Sequence, residues 1–118
     1  MKISQAFKFR AAHRLPNVPS THGCSRVHGH SYRVEVYLEG PVDPVNGIVA
    51  DFSAIDESIV GIMTTLDHRY LNEVQGLENP TAERIAEWIW ERLNDGLPRM
   101  SSVRVYETAD CWAEYDGR

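Results

Sequence analysis

HGHSYRVEVYLEG, residues 28–40, sets His30, Tyr32, Val34, Val36 and Leu38 on one side of a two-residue period and Arg33, Glu35, Tyr37 and Glu39 on the other. That alternation predicts a half-buried β-strand. Side chains two residues apart in a strand project from one face, so a strand opening at residue 28 aligns His28 and His30. Upstream, residues 2–13 follow the same period, with Ile3, Phe7, Phe9 and Ala11 at odd positions and His13 continuing their face. Between the two strands, residues 16–26 are rich in Pro, Ser, Thr and Gly and read as a loop carrying Cys24.

Downstream the period changes. After a turn-rich connection at residues 41–47, Asp51-Phe52-Ser53 opens a helix with Phe52, Ile55, Ile59, Ile62, Met63 and Leu66 at helical spacing, ending near Asp67-His68. A second helix is expected from Asn79-Pro80-Thr81, with Asn79 as its cap, Pro80 in its first position and a core face of Ile85, Trp88, Ile89 and Leu93. Residues 102–108 and 111–115 then read as a closing hairpin. The order is strand, strand, helix, helix, strand, strand. It predicts an α+β fold, a four-stranded antiparallel sheet with both helices on one face. Such a sheet has two open edges, which assembly with further copies would cover.

The 118 residues, 42% of them hydrophobic, suit one domain over residues 1–118. No apolar stretch is long enough for a membrane span, and the first residues lack the apolar core of a signal peptide, so the expectation is a cytoplasmic protein with no membrane partner. In that compartment Cys24 and Cys111 should be reduced. The net charge of −5 argues against nucleic acid as a partner. It also conceals an asymmetry: residues 1–33 carry Lys2, Lys8, Arg10, Arg14, Arg26 and Arg33 with no acidic residue, leaving −11 for the remainder. The basic third could draw an anionic ligand such as a phosphate ester, or be a solvated face balanced by acidic neighbours.

His13, His28 and His30 form a metal-ligand set. Three imidazoles around zinc leave a fourth position for water or substrate, the hallmark of an open catalytic site. Cys24 could instead fill that position and close the site. If it is not a ligand, its thiol, acidified by a nearby cation, can act as a base or nucleophile. Cys111, in a strand pattern, reads as a small buried cysteine. Asp67 beside His68 can orient an imidazole and raise its basicity, although Asp-His pairs at helix ends are common. Glu107 shares the face of Val103 and Val105, where a carboxylate needs a partner. A ligand with two parallel N–H donors would serve, as would an internal salt bridge or exposure at a strand end.

Phe9-Arg10-Ala11-Ala12-His13-Arg14-Leu15, Cys24 separated by three residues from His28-Gly29-His30, Leu66-Asp67-His68, Asn79-Pro80-Thr81-Ala82-Glu83 and Tyr106-Glu107-Thr108 occur in the order found in the 6-pyruvoyltetrahydropterin synthase family, which the chain resembles over nearly its whole length. The short gap from Cys24 to His28 resembles the branch acting in queuosine biosynthesis, and Ala82 stands where the family often has Ser. The resemblance implies zinc on His13, His28 and His30, Cys24 as catalytic base, Asp67 and His68 as a second acid–base pair, and Glu107 as the anchor of a pterin ring. It implies a tunnelling fold, in which three subunits join their sheets into a barrel and two trimers stack as a homohexamer with active sites between subunits. The implied substrate is 7,8-dihydroneopterin triphosphate, cleaved to a carboxytetrahydropterin, acetaldehyde and triphosphate. Rival readings are the pyruvoyl-retaining branch, a non-catalytic closed zinc module, and a zinc hydrolase.

Overall fold

The computed structural model describes residues 1–118, and its longest feature is an antiparallel ribbon of two 12-residue strands, β1 (Lys2–His13) and β2 (His28–Glu39). The predicted alternation is realised: Phe9, Ala11 and His13 of β1 and Tyr32, Val34, Val36 and Leu38 of β2 are buried, while the intervening residues are more exposed. This ribbon draws the molecule out to 57 × 23 × 23 Å. Its radius of gyration of 15.3 Å exceeds the roughly 13.5 Å of a compact chain of this length.

Helix α1 (Phe52–Leu66) starts where expected, with the Asp51 carboxylate accepting the Ser53 N–H as N-cap. Helix α2 (Ala82–Leu93) starts two residues later than the sequence suggests. Its cap is Thr81, whose hydroxyl accepts the Arg84 N–H, and Asn79 and Pro80 lie outside. The reason is functional in its geometry, because the Pro80 carbonyl receives a hydrogen bond from His13 instead of one from the helix.

The sheet is α+β in class but has five strands where four were expected, in the order β3-β1-β2-β4-β5. The addition is β3 (Arg69–Tyr70), which lies parallel to β1 at Ala11 and Ala12 and makes the sheet mixed. After α1, His68 takes a left-handed conformation at φ 58° and donates its N–H to the Arg10 carbonyl, turning the chain along β1. Left-handed backbone is uncommon outside glycine, though His is among the residues that adopt it more readily.

β4 (Met100–Tyr106) pairs β2, and β5 (Trp112–Tyr115) pairs β4. Both helices pack on one face and close a core of 21 buried residues that includes Phe9, Tyr32, Val34, Ile59, Ile85 and Ile89. Cys111 precedes β5 and is exposed, contrary to the buried position expected of it; it is a free thiol, as is Cys24. From Lys2 to Phe9 the outer edge of β1 has no strand beside it, and neither has the outer edge of β5. No helix is long and apolar enough to cross a membrane.

Candidate metal centre and its surroundings

Antiparallel register opposes His13 to His28 and Ala11 to His30, so all three histidines share the helix-facing side of the ribbon, at the end where residues 14–27 connect its two strands. Their donor atoms lie within 4.8 Å of one another and their ring centroids 4.5 to 5.0 Å apart.

Hydrogen bonds to backbone carbonyls fix two of the rings. His13 Nδ1 is 2.8 Å from the Pro80 oxygen, and His28 Nδ1 is 2.7 Å from the Arg26 oxygen. A carbonyl oxygen only accepts, so each Nδ1 carries its proton and each Nε2 presents a lone pair. These two Nε2 atoms face one another at 3.0 Å. Opposed lone pairs repel at that distance, and a cation between them converts repulsion into ligation. Zinc–nitrogen bonds of about 2.0–2.1 Å place tetrahedral ligands roughly 3.3 Å apart, close to the spacing found. The residues therefore fit a divalent metal. The Tyr32 hydroxyl, 3.2 Å from His13 Nδ1, shares in orienting that ring, and Tyr32 itself stacks on Phe9 at 4.7 Å.

Burial lowers the pKa of His13, with the neighbouring His28 adding to the effect and the Pro80 contact and Glu107 opposing it. Burial likewise lowers His30, against an opposing pull from Glu107. The Tyr32 hydroxyl is pushed upward, first by burial and then by Glu107. Rings that resist protonation stay available to a metal below the ordinary imidazole range. They also cost the metal-free fold stability in acid, because the unfolded chain takes up protons near pH 6.5 that the folded chain refuses. The stability these two rings contribute to the metal-free protein is thus fully present above about pH 6.5 and is lost as pH drops below it toward the folded-state values. Denaturant midpoints in the presence of chelator at pH about 7.5 and 5.5 check this sign; an equal or higher midpoint at the lower pH contradicts it.

The other expected residues are distributed around this set. Glu107 lies just past the end of β4 with its carboxylate 4.0 Å from His13 Nε2. Asp67 Oδ1 accepts the Arg10 N–H, and its Oδ2 is 3.5 Å from His68 Nε2, whose side chain is 78% exposed. His68 and His30 line one open groove of about 660 Å³ together with Arg10, Ser31 and Arg69. Cys24 is not in the metal set. It sits in a 3-10 turn (Gly23–Ser25), tied by its carbonyl to the Leu15 N–H at 2.7 Å.

Sequence reasoning overlooked the residues that position the set. Alternation could have singled out Tyr32, which shares the face of His30. Pro80, Arg26 and Asn72 act through backbone contacts or on backbone, and residue type does not signal that. The Asn72 amide both donates to the Arg14 carbonyl and accepts the Arg14 N–H, pinning the chain where it leaves β1.

The same arrangement of strands and helices occurs in the solved structure of the Caenorhabditis elegans 6-pyruvoyl tetrahydropterin synthase, with a TM-score of 0.92 at 27% identity, covering 100% of this chain and 96% of that one. A Synechocystis sp. protein named 6-carboxy-5,6,7,8-tetrahydropterin synthase is 40% identical, over 96% of this chain and 91% of its own. An Archaeoglobus fulgidus protein named as a putative 6-carboxy-5,6,7,8-tetrahydropterin synthase is 37% identical, over 97% and 94%. The model of the 6-pyruvoyl tetrahydropterin synthase family matches residues 2–118, which takes in every residue of the site, and the chain belongs to that family.

Proposed function

We propose that this chain is a zinc-dependent carbon–carbon lyase that converts 7,8-dihydroneopterin triphosphate and one water molecule to 6-carboxy-5,6,7,8-tetrahydropterin, acetaldehyde and triphosphate, a step of queuosine (7-deazaguanine) biosynthesis. The observation that carries the reading is the pair of imidazole lone pairs facing each other at 3.0 Å beside a third histidine, with a carboxylate 4.0 Å away. The names borne by the relatives at 40% and 37% identity supply the substrate class.

His13, His28 and His30 would hold the zinc, which when bound supplies Lewis acidity toward the hydroxyls of the substrate side chain. Glu107 accepts the 2-amino and N3 hydrogens of the pterin and so fixes the ring relative to the metal set. Cys24 as thiolate removes a proton from the side-chain carbon next to the ring. His68, held by Asp67, serves as the second acid–base group, returning a proton as triphosphate departs and the carbon–carbon bond is cleaved. Arg10 and Arg69, which share the groove with His68, offer guanidinium groups to the phosphates.

The site is shared between subunits in this reading. The exposure of His68, the position of Cys24 outside the metal set and the uncovered edges of β1 and β5 all suit a ring of three joined sheets and a stacked pair of rings. A small-molecule pterin and further copies of the chain are then its partners, and the cytoplasm its setting.

The test is to incubate the zinc-loaded protein with 7,8-dihydroneopterin triphosphate and identify the pterin product and acetaldehyde by mass spectrometry. A pyruvoyl product without acetaldehyde would assign the other branch. Cys24→Ala is expected to keep its zinc and lose about 10²–10⁴-fold in turnover, the usual contribution of a general base. Loss of zinc with unfolding would support a closed site containing Cys24 instead.

A further inference from the structure

We propose that His22 is the positioning residue of Cys24, holding the thiol-bearing turn through a side-chain cap; this rests on the reading of Cys24 as the proton-transfer group. The 3-10 turn Gly23–Ser25 contains no buried residue, and a Cβ placed on Gly23 would meet nothing within 4 Å. Packing therefore does not fix the turn, and hydrogen bonds must. On the far side, the Cys24 carbonyl accepts the Leu15 N–H at 2.7 Å, and Leu15 follows directly on the residue clamped by Asn72. On the near side, His22 stands as N-cap in extended conformation, and its Nδ1 accepts the Cys24 N–H at 3.0 Å.

Both polar groups of the Cys24 peptide are thus engaged, one by β1's exit and one by the His22 ring. To accept there, Nδ1 must be unprotonated, which puts the ring proton on Nε2. An imidazole in the place more often taken by Asn, Asp, Ser or Thr does the same work as those caps. His22 is exposed, is not one of the three clustered histidines and uses its Nδ1 to accept the Cys24 N–H, so its effect runs through the orientation of Cys24.

The experiment uses zinc-loaded protein carrying Cys111→Ser, so that Cys24 is the one thiol, with 7,8-dihydroneopterin triphosphate as substrate and iodoacetamide as thiol probe. His22→Ala is expected to lower kcat about 10- to 100-fold, the scale on which misplacement of a reacting group acts, with KM and zinc content within about twofold. The Cys24 alkylation rate should change alongside kcat. His22→Asn restores the acceptor and is expected to recover kcat to within about threefold of the parent. An unaffected His22→Ala beside an inactive Cys24→Ser overturns the positioning while leaving the proton-transfer reading intact. A His22→Asn no better than His22→Ala overturns the cap and assigns the imidazole a direct part. A fully active Cys24→Ser overturns the reading of Cys24 itself, and this proposal with it.

Discussion

His28→Ala is expected to emerge with only trace zinc and with its metal affinity reduced by more than about 100-fold, since even loss of an outer-sphere partner of a ligand costs about 10- to 100-fold. Two imidazoles remain, and neither can chelate alone. Folding should be spared, because His28 stands half-buried at the start of β2 and its one side-chain anchor is the Arg26 carbonyl, which water can satisfy. The contrast with His13 sharpens the expectation. His13 is 1% exposed, and its removal would strand the Pro80 carbonyl and the Tyr32 hydroxyl in the interior, so that substitution mixes metal loss with destabilisation. Metal content of His28→Ala, measured by plasma mass spectrometry after dialysis against a weak chelator, checks the ligand assignment. Content equal to wild type would remove it.

The legibility of this set in the sequence has a physical basis. A regular strand repeats every two residues, and the β1–β2 register is unbroken, so His28, His30 and Tyr32 fall on one face once the strand is recognised, and the apolar odd positions of β1 assign His13 to the same layer. What the period cannot convey is which carbonyls those rings meet. The cap of α2 was misplaced for this reason. Asn79 and Pro80 satisfy every local preference for a helix start, yet the Pro80 oxygen is drawn to His13, 67 residues away in the chain, and the helix yields two positions to Thr81.

β3 escaped notice because two residues are too few to show a period, and what holds them is the Asp67 carboxylate and the His68 N–H standing in for a strand at Arg10. Cys111 misled in the opposite way. It continues an alternating pattern, but the hairpin loop extends through it, its carbonyl accepting the Glu107 N–H, and β5 begins one residue later.

Glu107 raises a choice that the sequence alone left to an internal salt bridge or an exposed strand end. The carboxylate has an ion-pair partner within reach in His13 at 4.0 Å, but burial keeps that ring from protonating, so the contact supplies little charge compensation. With 27% of its side chain exposed, and no hydrogen bond to its carboxylate within the chain, Glu107 keeps acceptor capacity for a ligand beside the metal set. A pterin edge with two parallel N–H donors fits that capacity, and Gln at the same position replaces one acceptor oxygen by a donor amide that meets a donor.

Glu107→Gln is therefore expected to weaken binding of a pterin analogue to the zinc-loaded protein by about 2–5 kcal/mol, the range for breaking a buried charge-assisted pair. That is roughly 30- to several-thousand-fold in Kd. Zinc content should hold, because the three imidazoles are untouched. Titration calorimetry on wild type and variant measures the difference directly. Equal affinity would make Glu107 a structural carboxylate and move the pterin pocket elsewhere, whereas loss of zinc together with affinity would make it a member of the metal's own coordination sphere. The two failures are separable because one leaves the metal in place and the other removes it.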